Sequence, residues 1–182
     1  MSGRLVGWID GVVLVAAGAL LAALASLWGA RLGYPFDLEW MEGGMLAHAW
    51  RIRHGLPLYG PPDADFVPFI YPPGFSWLLA AIGPGYAAGR AISLLGTLAA
   101  AGAAAFAVHR VTGDRVPAVW AAAVFLGTWD AGGAFFDLAR PDGAMLGLLG
   151  WSIALALVPG ARAAAASGLL LTLAFLFKHN AA

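Results

Sequence analysis

The stretch VVLVAAGALLAALASLWGA, which runs from Val12 to Ala30, determines the class of fold. It contains no charged residue, and Arg31 ends it. A helix that crosses a bilayer needs about 20 predominantly apolar residues. A cleavable signal peptide has a shorter apolar core that ends at a cleavage site, whereas this run continues beyond the signal-like tripeptide at 23–25. We therefore predict that it forms an uncleaved first membrane span.

The composition of the whole chain agrees with a membrane protein. Hydrophobic residues make up 61% of the 182 residues and charged residues 11%, and the mean hydropathy is +0.79. Soluble proteins carry about 25% charged residues, so a soluble protein of this length could not cover its surface with so few charged side chains. The formal net charge of zero provides no basic field for nucleic acid. The absence of cysteine excludes disulfides and thiolate metal sites. Membrane lipids, and no nucleic acid, are the expected partners.

The other apolar segments predict an all-α fold, a polytopic bundle of transmembrane helices. The predicted spans are about 12–30, 86–108, 117–135, 143–158 and 163–177, and a long outer loop covers 31–85. Five spans make an odd and modest bundle, and the chain ends directly after a charged group of residues. We expect residues 1–182 to be the N-terminal part of a longer protein.

The loops between the predicted spans alternate in character, and this alternation predicts the orientation in a bacterial inner membrane. Placing the arginines at 4, 110, 115 and 162 in the cytoplasm follows the positive-inside tendency. The N-terminus is then cytoplasmic. The loop 31–85, the loop 130–142 and Lys178 all lie on the outer side, so we expect the polar residues to converge there.

Two short helices are predicted within the long outer loop. Apolar residues recur at intervals of three or four, as in an amphipathic helix that lies in the membrane interface: Leu38, Met41, Met45, Ala49 and Ile52. A second helix is predicted for Phe75–Ile82, with Pro73 at its first helical position.

The acidic segment directly after the first span is the first candidate for chemistry. Asp37, Glu39 and Glu42 lie at the start of the predicted amphipathic helix. Carboxylates at the membrane edge could act as a general base on an acceptor hydroxyl or amine. The alternative is that Asp37 caps the helix and the glutamates complement its dipole.

The second candidate is the segment Phe135–Asp142. Arg140 stands between Asp137 and Asp142 at the boundary of a predicted span. It could hold a phosphate or order the first loop. The alternative is a solvated turn in which Asp142 begins the next helix, with Phe135 and Phe136 as interfacial aromatics.

Two basic residues close to span ends complete the candidates. Lys178 follows an apolar segment and could neutralise a phosphate leaving group, or it could be a lysine that extends to the interface at the span end. Arg90 lies early in the second span, where a charge is costly and therefore usually paired or functional. It could extend outward or bind an acidic partner in the first loop. The histidines at 48, 54 and 109 have no metal-ligand spacing, so they are interpreted as surface or interfacial residues and no metal site is predicted.

The order of these segments resembles the N-terminal part of bacterial membrane glycosyltransferases of the C-type fold, in particular the mannosyltransferase-like proteins of glycosyltransferase family 39 and the aminoarabinose-transferase-like proteins. The similarity covers essentially the whole chain. It is carried by the acidic motif after the first span, the Gly-x-Pro-Leu-Tyr at 55–59, Tyr71-Pro-Pro-Gly, Gly89-Arg90 with Ser93, and the segments at 137–142 and 178.

The resemblance implies inverting transfer of a sugar from a polyprenyl-phosphate donor to a lipid, glycan or protein acceptor on the outer face. It implies that Asp37-Leu-Glu39 is a modified DxD-type motif, with Asp37 favoured as the base. Under this interpretation Arg140, Lys178 and Arg90 bind the donor phosphate. The remaining candidates line the substrate cavity: Glu42, Tyr71, Asp137, Asp142 and His179. No cofactor is certain, and a divalent cation stays open.

Two other classes of function are alternatives to the enzyme. A transporter or flippase-like protein without catalysis would place ionisable residues near the middle of its spans, commonly within inverted repeats. Here the apolar centres of the predicted spans carry no charges, which favours the enzyme. An assembly subunit that uses its Ala- and Gly-rich spans for close packing would leave the polar loop unexplained.

Overall fold

A computed structural model describes residues 2–181, and the side chains from residue 7 to residue 181. The side chain of Arg4 lies outside the described part. Over these residues the chain forms seven α-helices and a final 3-10 turn, without a strand, which confirms the all-α fold. The elements are α1 (Ser2–Leu32), α2 (Met41–Arg53), α3 (Gly74–Ile82), α4 (Tyr86–Thr112), α5 (Arg115–Gly127), α6 (Pro141–Ala156), α7 (Ala161–Phe177) and the 3-10 turn His179–Ala181.

Two helices are long and apolar enough to cross a membrane, namely α1 over Gly7–Leu32 and α4 over Tyr86–Thr112. Only 17% and 28% of their most apolar windows are buried inside the protein. Most of their apolar surface is therefore available to lipid, unlike that of a helix in a soluble core. The helices α5, α6 and α7 have 13, 16 and 17 residues. At 1.5 Å per residue, the shortest reaches about 20 Å against an apolar bilayer core of about 30 Å.

The predicted third span, 117–135, is wrong in its C-terminal part. Helix α5 ends at Gly127, and the chain continues in turns as far as residue 140. Gly133 and Ala134 have φ angles of 80° and 59°, a left-handed conformation that an α-helix cannot contain. The aromatic residues of this segment are consequently part of a folded loop and not of a membrane span.

Both short helices of the outer loop are confirmed, but the first begins later and packs differently from the prediction. Helix α2 begins at Met41, and its buried face contacts Phe75 and Leu79 of α3. Its apolar stripe is therefore covered by protein, while its position in the membrane interface stays a prediction. Helix α3 begins at Gly74, with Pro73 at the N-cap and not at the first helical position.

Helices α4 and α6 run side by side in the same direction and approach closely through small residues. A Cβ added at Gly147 would lie 2.5 Å from Gly96 O, and one added at Gly150 would lie 3.2 Å from the Cβ of Ala103. Gly143 faces Ser93 in the same way. Small residues at such positions let two helix backbones pack closely. The residues that begin α6 are in this way held against the first turns of α4.

Helices α1 and α7 end, and α4 and α6 begin, at the same end of the bundle. Contacts there join Arg31 at the end of α1 to the loop before α6, and Lys178 at the end of α7 to the start of α6. Arg90 near the start of α4 contacts Glu42 of the first loop. The convergence of the polar segments at one end, expected from the sequence, is therefore present in the structure.

Candidate functional site

Arg90, in the second turn of α4, is completely buried and joins this helix to the loop after α1. Its Nε and Nη2 donate to the two carboxylate oxygens of Glu42 at 2.9 and 2.7 Å. Its other N–H groups donate to the backbone carbonyls of Arg31 at 2.9 Å, Tyr34 at 2.5 Å and Phe36 at 2.6 Å. A guanidinium has five N–H groups, so every donor of Arg90 is used within the protein.

Glu42, the partner of Arg90, lies in the first turn of α2 and is also completely buried. Besides the two bonds from Arg90, its Oε1 accepts from the backbone N–H of Ala139 at 2.8 Å and its Oε2 from that of Leu38 at 2.7 Å. Burial alone raises the pKa of this carboxyl, but the hydrogen bonds from Arg90, Ala139 and Leu38 outweigh burial and hold the pKa of Glu42 below its ordinary value. The pair is therefore fully hydrogen-bonded and links the loop after α1 to the loop before α6.

Two hydroxyl groups of α4 fix the loop before α6. Ser93 Oγ donates to the carbonyl of Arg140 at 2.5 Å, and Thr97 Oγ1 donates to the carbonyl of Phe136 at 2.7 Å. Both side chains are buried. Because Arg90, Ser93 and Thr97 are spaced by three and four residues, they share one face of the helix. This polar face of α4 anchors both loops at the converging end.

Asp137 is the buried partner in a second ion pair in the same region. Arg31 Nε donates to its Oδ2 at 2.6 Å, and Trp129 Nε1 donates to its Oδ1 at 2.8 Å. The guanidinium of Arg31 lies 5.2 Å from the centre of the Trp129 ring. With only 3% of its side chain exposed, Asp137 holds the end of α1 to the loop and is not open to a ligand.

Four charged side chains form a partly exposed group that we call the charge cluster: Glu39, Arg140, Asp142 and Lys178. Arg140 donates from Nη1 to Glu39 at 3.2 Å and from Nε to Asp142 at 3.3 Å. Lys178 Nζ donates to the other oxygen of Asp142 at 2.6 Å. The four side chains are 8–18% exposed, and Arg140 is the most buried of them.

The charge cluster differs from the Arg90–Glu42 pair because its cations keep unused donors. Among the described residues, Arg140 uses two of its five N–H groups on protein acceptors, and Lys178 uses one of its three. Hydrogen bonds from charged donors to an anionic oxygen are about twice as strong as neutral ones. The cluster can therefore donate to an anionic group, whereas Arg90 cannot without breaking its present bonds.

An aromatic ring contacts each of the two cations of the charge cluster. The guanidinium of Arg140 lies 4.3 Å from the centre of the Phe135 ring, and Lys178 Nζ lies 5.3 Å from the centre of the Tyr71 ring. The rings of Tyr71 and His179 are 6.4 Å apart. Such contacts attract a cation to the ring face. They limit the positions that Arg140 and Lys178 can take, and they bring Tyr71 and His179 to the cluster.

Asp37 is exposed and lies apart from these ion pairs, against the first turn of α2. A Cβ added at Gly43 would lie 3.2 Å from both of its carboxylate oxygens, and the hydroxyl of Tyr86 lies beside it. The N-cap of α2 is Trp40, without a side-chain capping bond, so the alternative that Asp37 caps this helix is wrong. The positive end of the α2 dipole nevertheless favours a negative charge at this position.

An apolar groove of about 500 Å³ lies among α3, α4, α6 and α7. Its walls include Leu78, Ile92, Trp151 and Phe177, and no charged residue of the described part of the chain lines it. Two lining residues are close to the charge cluster in sequence, since Phe177 immediately precedes Lys178 and Ala144 follows Asp142 by two positions. None of the four charged residues of the cluster lines the groove itself.

His48 is buried, and not at the surface or interface as its sequence context suggested. Its Nε2 accepts from the backbone N–H of Phe69 at 3.0 Å, so Nδ1 carries the proton and donates to Gly44 O at 2.7 Å. The ring stacks on Phe69 and contacts Phe66 edge to face. Burial, opposed by the bond to Gly44 and aided by the charge of Arg51, lowers the pKa of His48.

The predicted site residues therefore fall into three groups. Glu39, Arg140, Asp142 and Lys178 contact one another, with Tyr71 and His179 at the edge of the cluster, and Asp37 stands alone. Arg90 was expected to contact the donor phosphate, but it has no free N–H group in this arrangement. It binds Glu42, an acidic partner in the first loop, as one of the sequence alternatives proposed. Glu42 and Asp137 are buried in ion pairs and do not line an open cavity.

Four residues of this region were missed by the sequence prediction as parts of the network: Arg31, Ser93, Thr97 and Trp129. Ser93 and Thr97 share a helical face with Arg90, and a polar stripe within an apolar helix was the signal that could have identified them. The pairing of Arg31 with Asp137, 106 positions apart, leaves no local pattern in the sequence.

Comparison with known proteins does not assign the chain to a family: no family model, no curated protein and no solved structure matches it. Among residues 2–181, no three or more His, Asp or Glu side chains are grouped so that they could hold a metal ion. The fold and the site define an α-helical protein with two helices fit to cross a membrane and a charge cluster at one end of the bundle.

Proposed function

We propose that the protein is a membrane glycosyltransferase that moves a sugar from a polyprenyl-phosphate donor to an acceptor at the outer face of a bacterial inner membrane. The observation that carries the proposal is the pair of cations Arg140 and Lys178, which keep unused donors, together with an apolar groove whose lining residue Phe177 directly precedes Lys178. A lipid phosphate has a matching combination of an apolar chain and an anionic head. The acceptor is a lipid, a glycan or a protein.

The departure of the lipid phosphate is the step that the two cations assist. The acceptor oxygen forms a bond to the anomeric carbon of the sugar while the bond from that carbon to the phosphate oxygen breaks. The electron pair of the broken bond stays on the phosphate, and the configuration at the anomeric carbon inverts. Arg140 and Lys178 stabilise the charge that develops on the phosphate, which is the kind of electrostatic contribution that usually dominates catalysis.

The proton of the acceptor hydroxyl goes to Asp37 in this mechanism. Glu39 already accepts from Arg140 at 3.2 Å and from the backbone N–H of Met41 at 3.1 Å. Among the described residues, Asp37 forms no ion pair and is exposed. A general base needs an accessible oxygen within hydrogen-bond reach of the proton, and Asp37 meets the first condition better than Glu39. We assign Glu39 to the orientation of Arg140.

The proposal includes a multi-pass arrangement in the membrane. Helices α1 and α4 cross it, and α5, α6 and α7 complete a polytopic bundle with the N-terminus in the cytoplasm. Arg110, Arg115 and Arg162 then lie on the cytoplasmic side, in accord with the positive-inside tendency. The charge cluster and the helices α2 and α3 face outward.

A transporter or flippase without catalysis is the alternative. Such a protein exposes ionisable groups along a path near the middle of the bilayer. Arg90, the charged residue of α4 that lies closest to such a position, has all its donors bound within the protein. This favours a site at the end of the bundle over a path through it.

The proposed function is tested with the full chain in lipid nanodiscs. A panel of undecaprenyl-phosphate sugars is supplied with a mixture of extracted envelope lipids and glycans as acceptors, and the release of undecaprenyl phosphate is measured. We expect release from at least one donor, and its loss in Asp37→Asn, with the amount of protein in the membrane unchanged. Inhibition by a chelator would show that the site also requires a divalent cation.

Asp65→Asn is the matched control, since Asp65 is an exposed aspartate of the same loop, remote in sequence from the cluster. It should release lipid phosphate at the rate of the unaltered protein. Full activity of Asp37→Asn would reject Asp37 as the base. Failure of every donor to react would reject the glycosyltransferase.

A further inference from the structure

We infer that Glu42 is a positioning residue: its carboxylate holds the backbone beside both partners of the Glu39–Arg140 ion pair and thereby sets the distance between them. The importance of this distance for catalysis rests on the proposed function, because the distance matters to the reaction only if the charge cluster binds the donor. The positioning itself concerns the fold of this chain and can be tested without a substrate.

The two backbone groups bound by Glu42 are immediate neighbours of the ion pair. Leu38, which donates to Oε2 at 2.7 Å, precedes Glu39, and Ala139, which donates to Oε1 at 2.8 Å, precedes Arg140. One planar carboxylate thus connects the loop after α1 to the loop before α6. A displacement of this carboxylate would move the backbone at Glu39 relative to that at Arg140.

The carboxylate itself has little freedom to move. Arg90 donates to both of its oxygens and is in turn fixed by three backbone carbonyls, and both side chains are completely buried. On the other side, a Cβ added at Gly89 would lie 2.6 Å from the Cβ of Ala139. Since Ala139 already touches α4, it cannot approach the helix further to follow a shorter side chain.

Asp137 provides a matched comparison within the same loop. Its carboxylate accepts from the side chains of Arg31 and Trp129. Among the described residues it accepts no backbone N–H next to Glu39 or Arg140. Asp137 therefore stabilises the loop but does not set the distance between Glu39 and Arg140. It is a suitable control for the loss of an ion pair with a buried carboxylate.

The absence of cysteine allows this distance to be measured directly in the full chain. Glu39→Cys and Arg140→Cys introduce the only two thiols, and the rate at which a short bis-thiol reagent joins them is recorded in nanodiscs. Glu42→Asp keeps the charge but shortens the side chain by one methylene, about 1.5 Å. We expect this change to slow the 39–140 cross-link by about tenfold, because intramolecular rates depend steeply on alignment.

A second cysteine pair reports whether the whole bundle has loosened. Ser152 and Ser167 face each other across α6 and α7 with their Oγ atoms 3.2 Å apart. In a separate variant with Ser152→Cys and Ser167→Cys, the disulfide should form at the same rate whether or not Glu42→Asp is also present. Asp137→Asn should leave the 39–140 rate unchanged. Equal 39–140 rates for Glu42 and Glu42→Asp, or parallel slowing of both cysteine pairs, would overturn the positioning role. A 39–140 rate that depends on Glu42 in a protein that transfers no sugar would support the role and reject only the proposed function.

Discussion

The carboxylate of Asp142 lies 2.6 Å from the ammonium group of Lys178, although 36 positions separate the two residues. Asp142 is in the first turn of α6 and Lys178 directly follows α7. The same carboxylate accepts from Arg140 at 3.3 Å. Asp142 therefore bridges the two cations that we assign to the donor phosphate, and it competes with a phosphate for their donors.

This bridge predicts that Asp142→Asn tightens the binding of undecaprenyl phosphate. The amide keeps the shape of the carboxylate but removes the negative charge that repels the phosphate. A partly exposed charge pair contributes at most about 1 kcal/mol, so we expect a decrease in Kd of about fivefold. The measurement is a titration of the protein in nanodiscs with undecaprenyl phosphate.

Asp130→Asn serves as the control for this titration, because Asp130 is an exposed aspartate earlier in the same loop. It should leave the Kd unchanged. Weaker binding by Asp142→Asn would show that the carboxylate orients the cations in the bound state, contrary to a role as competitor.

The contact between α4 and α6 predicts opposite effects for alanine at two helical glycines. In Gly147→Ala the new methyl group would lie 2.5 Å from Gly96 O, so the helices must separate, and overpacking of this kind costs about 1–3 kcal/mol. A Cβ at Gly168 meets nothing within 4 Å, and Gly168→Ala should raise stability by up to about 1 kcal/mol through helix propensity. Thermal unfolding in detergent measures both; a loss at Gly168 or a gain at Gly147 would contradict the packing.

His48 predicts a loss of stability as the pH falls below neutrality. Its pKa is lowered in the folded state, chiefly by burial, so the unfolded chain binds the proton at a higher pH than the folded one. The contribution of His48 is therefore complete above its unfolded pKa of about 6.5 and decreases as the pH falls from there toward the lower folded pKa. The measurement is the Tm of the full chain between about pH 8 and about pH 5.

The variant His48→Gln should remove this phase, since an amide oxygen can accept from Phe69 N–H without titrating. His54→Gln is the matched control on the same helix, because His54 is exposed and bonds only to Trp50 O, at 2.8 Å, among the described residues. That variant should retain the pH dependence of the unaltered protein. An identical Tm profile for His48→Gln and the unaltered chain would show that another group titrates.

The helices were largely predictable because each apolar run lies between glycine, proline or charged residues. Helices α1 and α4 are long enough for their sequences alone to indicate membrane spans. The predicted end of the third span was wrong because Phe135 and Phe136 were included in it, although Asp130 and the glycines at 132 and 133 interrupt the apolar run before them. Phe136 instead stacks on Phe125 of α5, with ring centres 5.3 Å apart.

The charge cluster was predictable only as a convergence of segments, and the roles of its neighbours were not. The topology brings Glu39, Arg140 and Lys178 to one end, as expected. Charge alone does not distinguish Arg140, which keeps unused donors, from Arg90, which has none. That difference depends on backbone carbonyls of residues 31–36, whose positions follow from the tertiary fold.

The most direct test of the account asks whether the phosphate of a polyprenyl lipid meets Lys178. Lys178 is the only lysine of the chain, so an amine-reactive reagent modifies this side chain and the N-terminal amine, and mass spectrometry separates the two. The labelling rate is measured in nanodiscs with undecaprenyl phosphate, with undecaprenol and with inorganic phosphate. We predict that saturating undecaprenyl phosphate slows the labelling of Lys178 by about tenfold, whereas undecaprenol and inorganic phosphate do not. Equal labelling rates with undecaprenyl phosphate and undecaprenol would contradict the assignment.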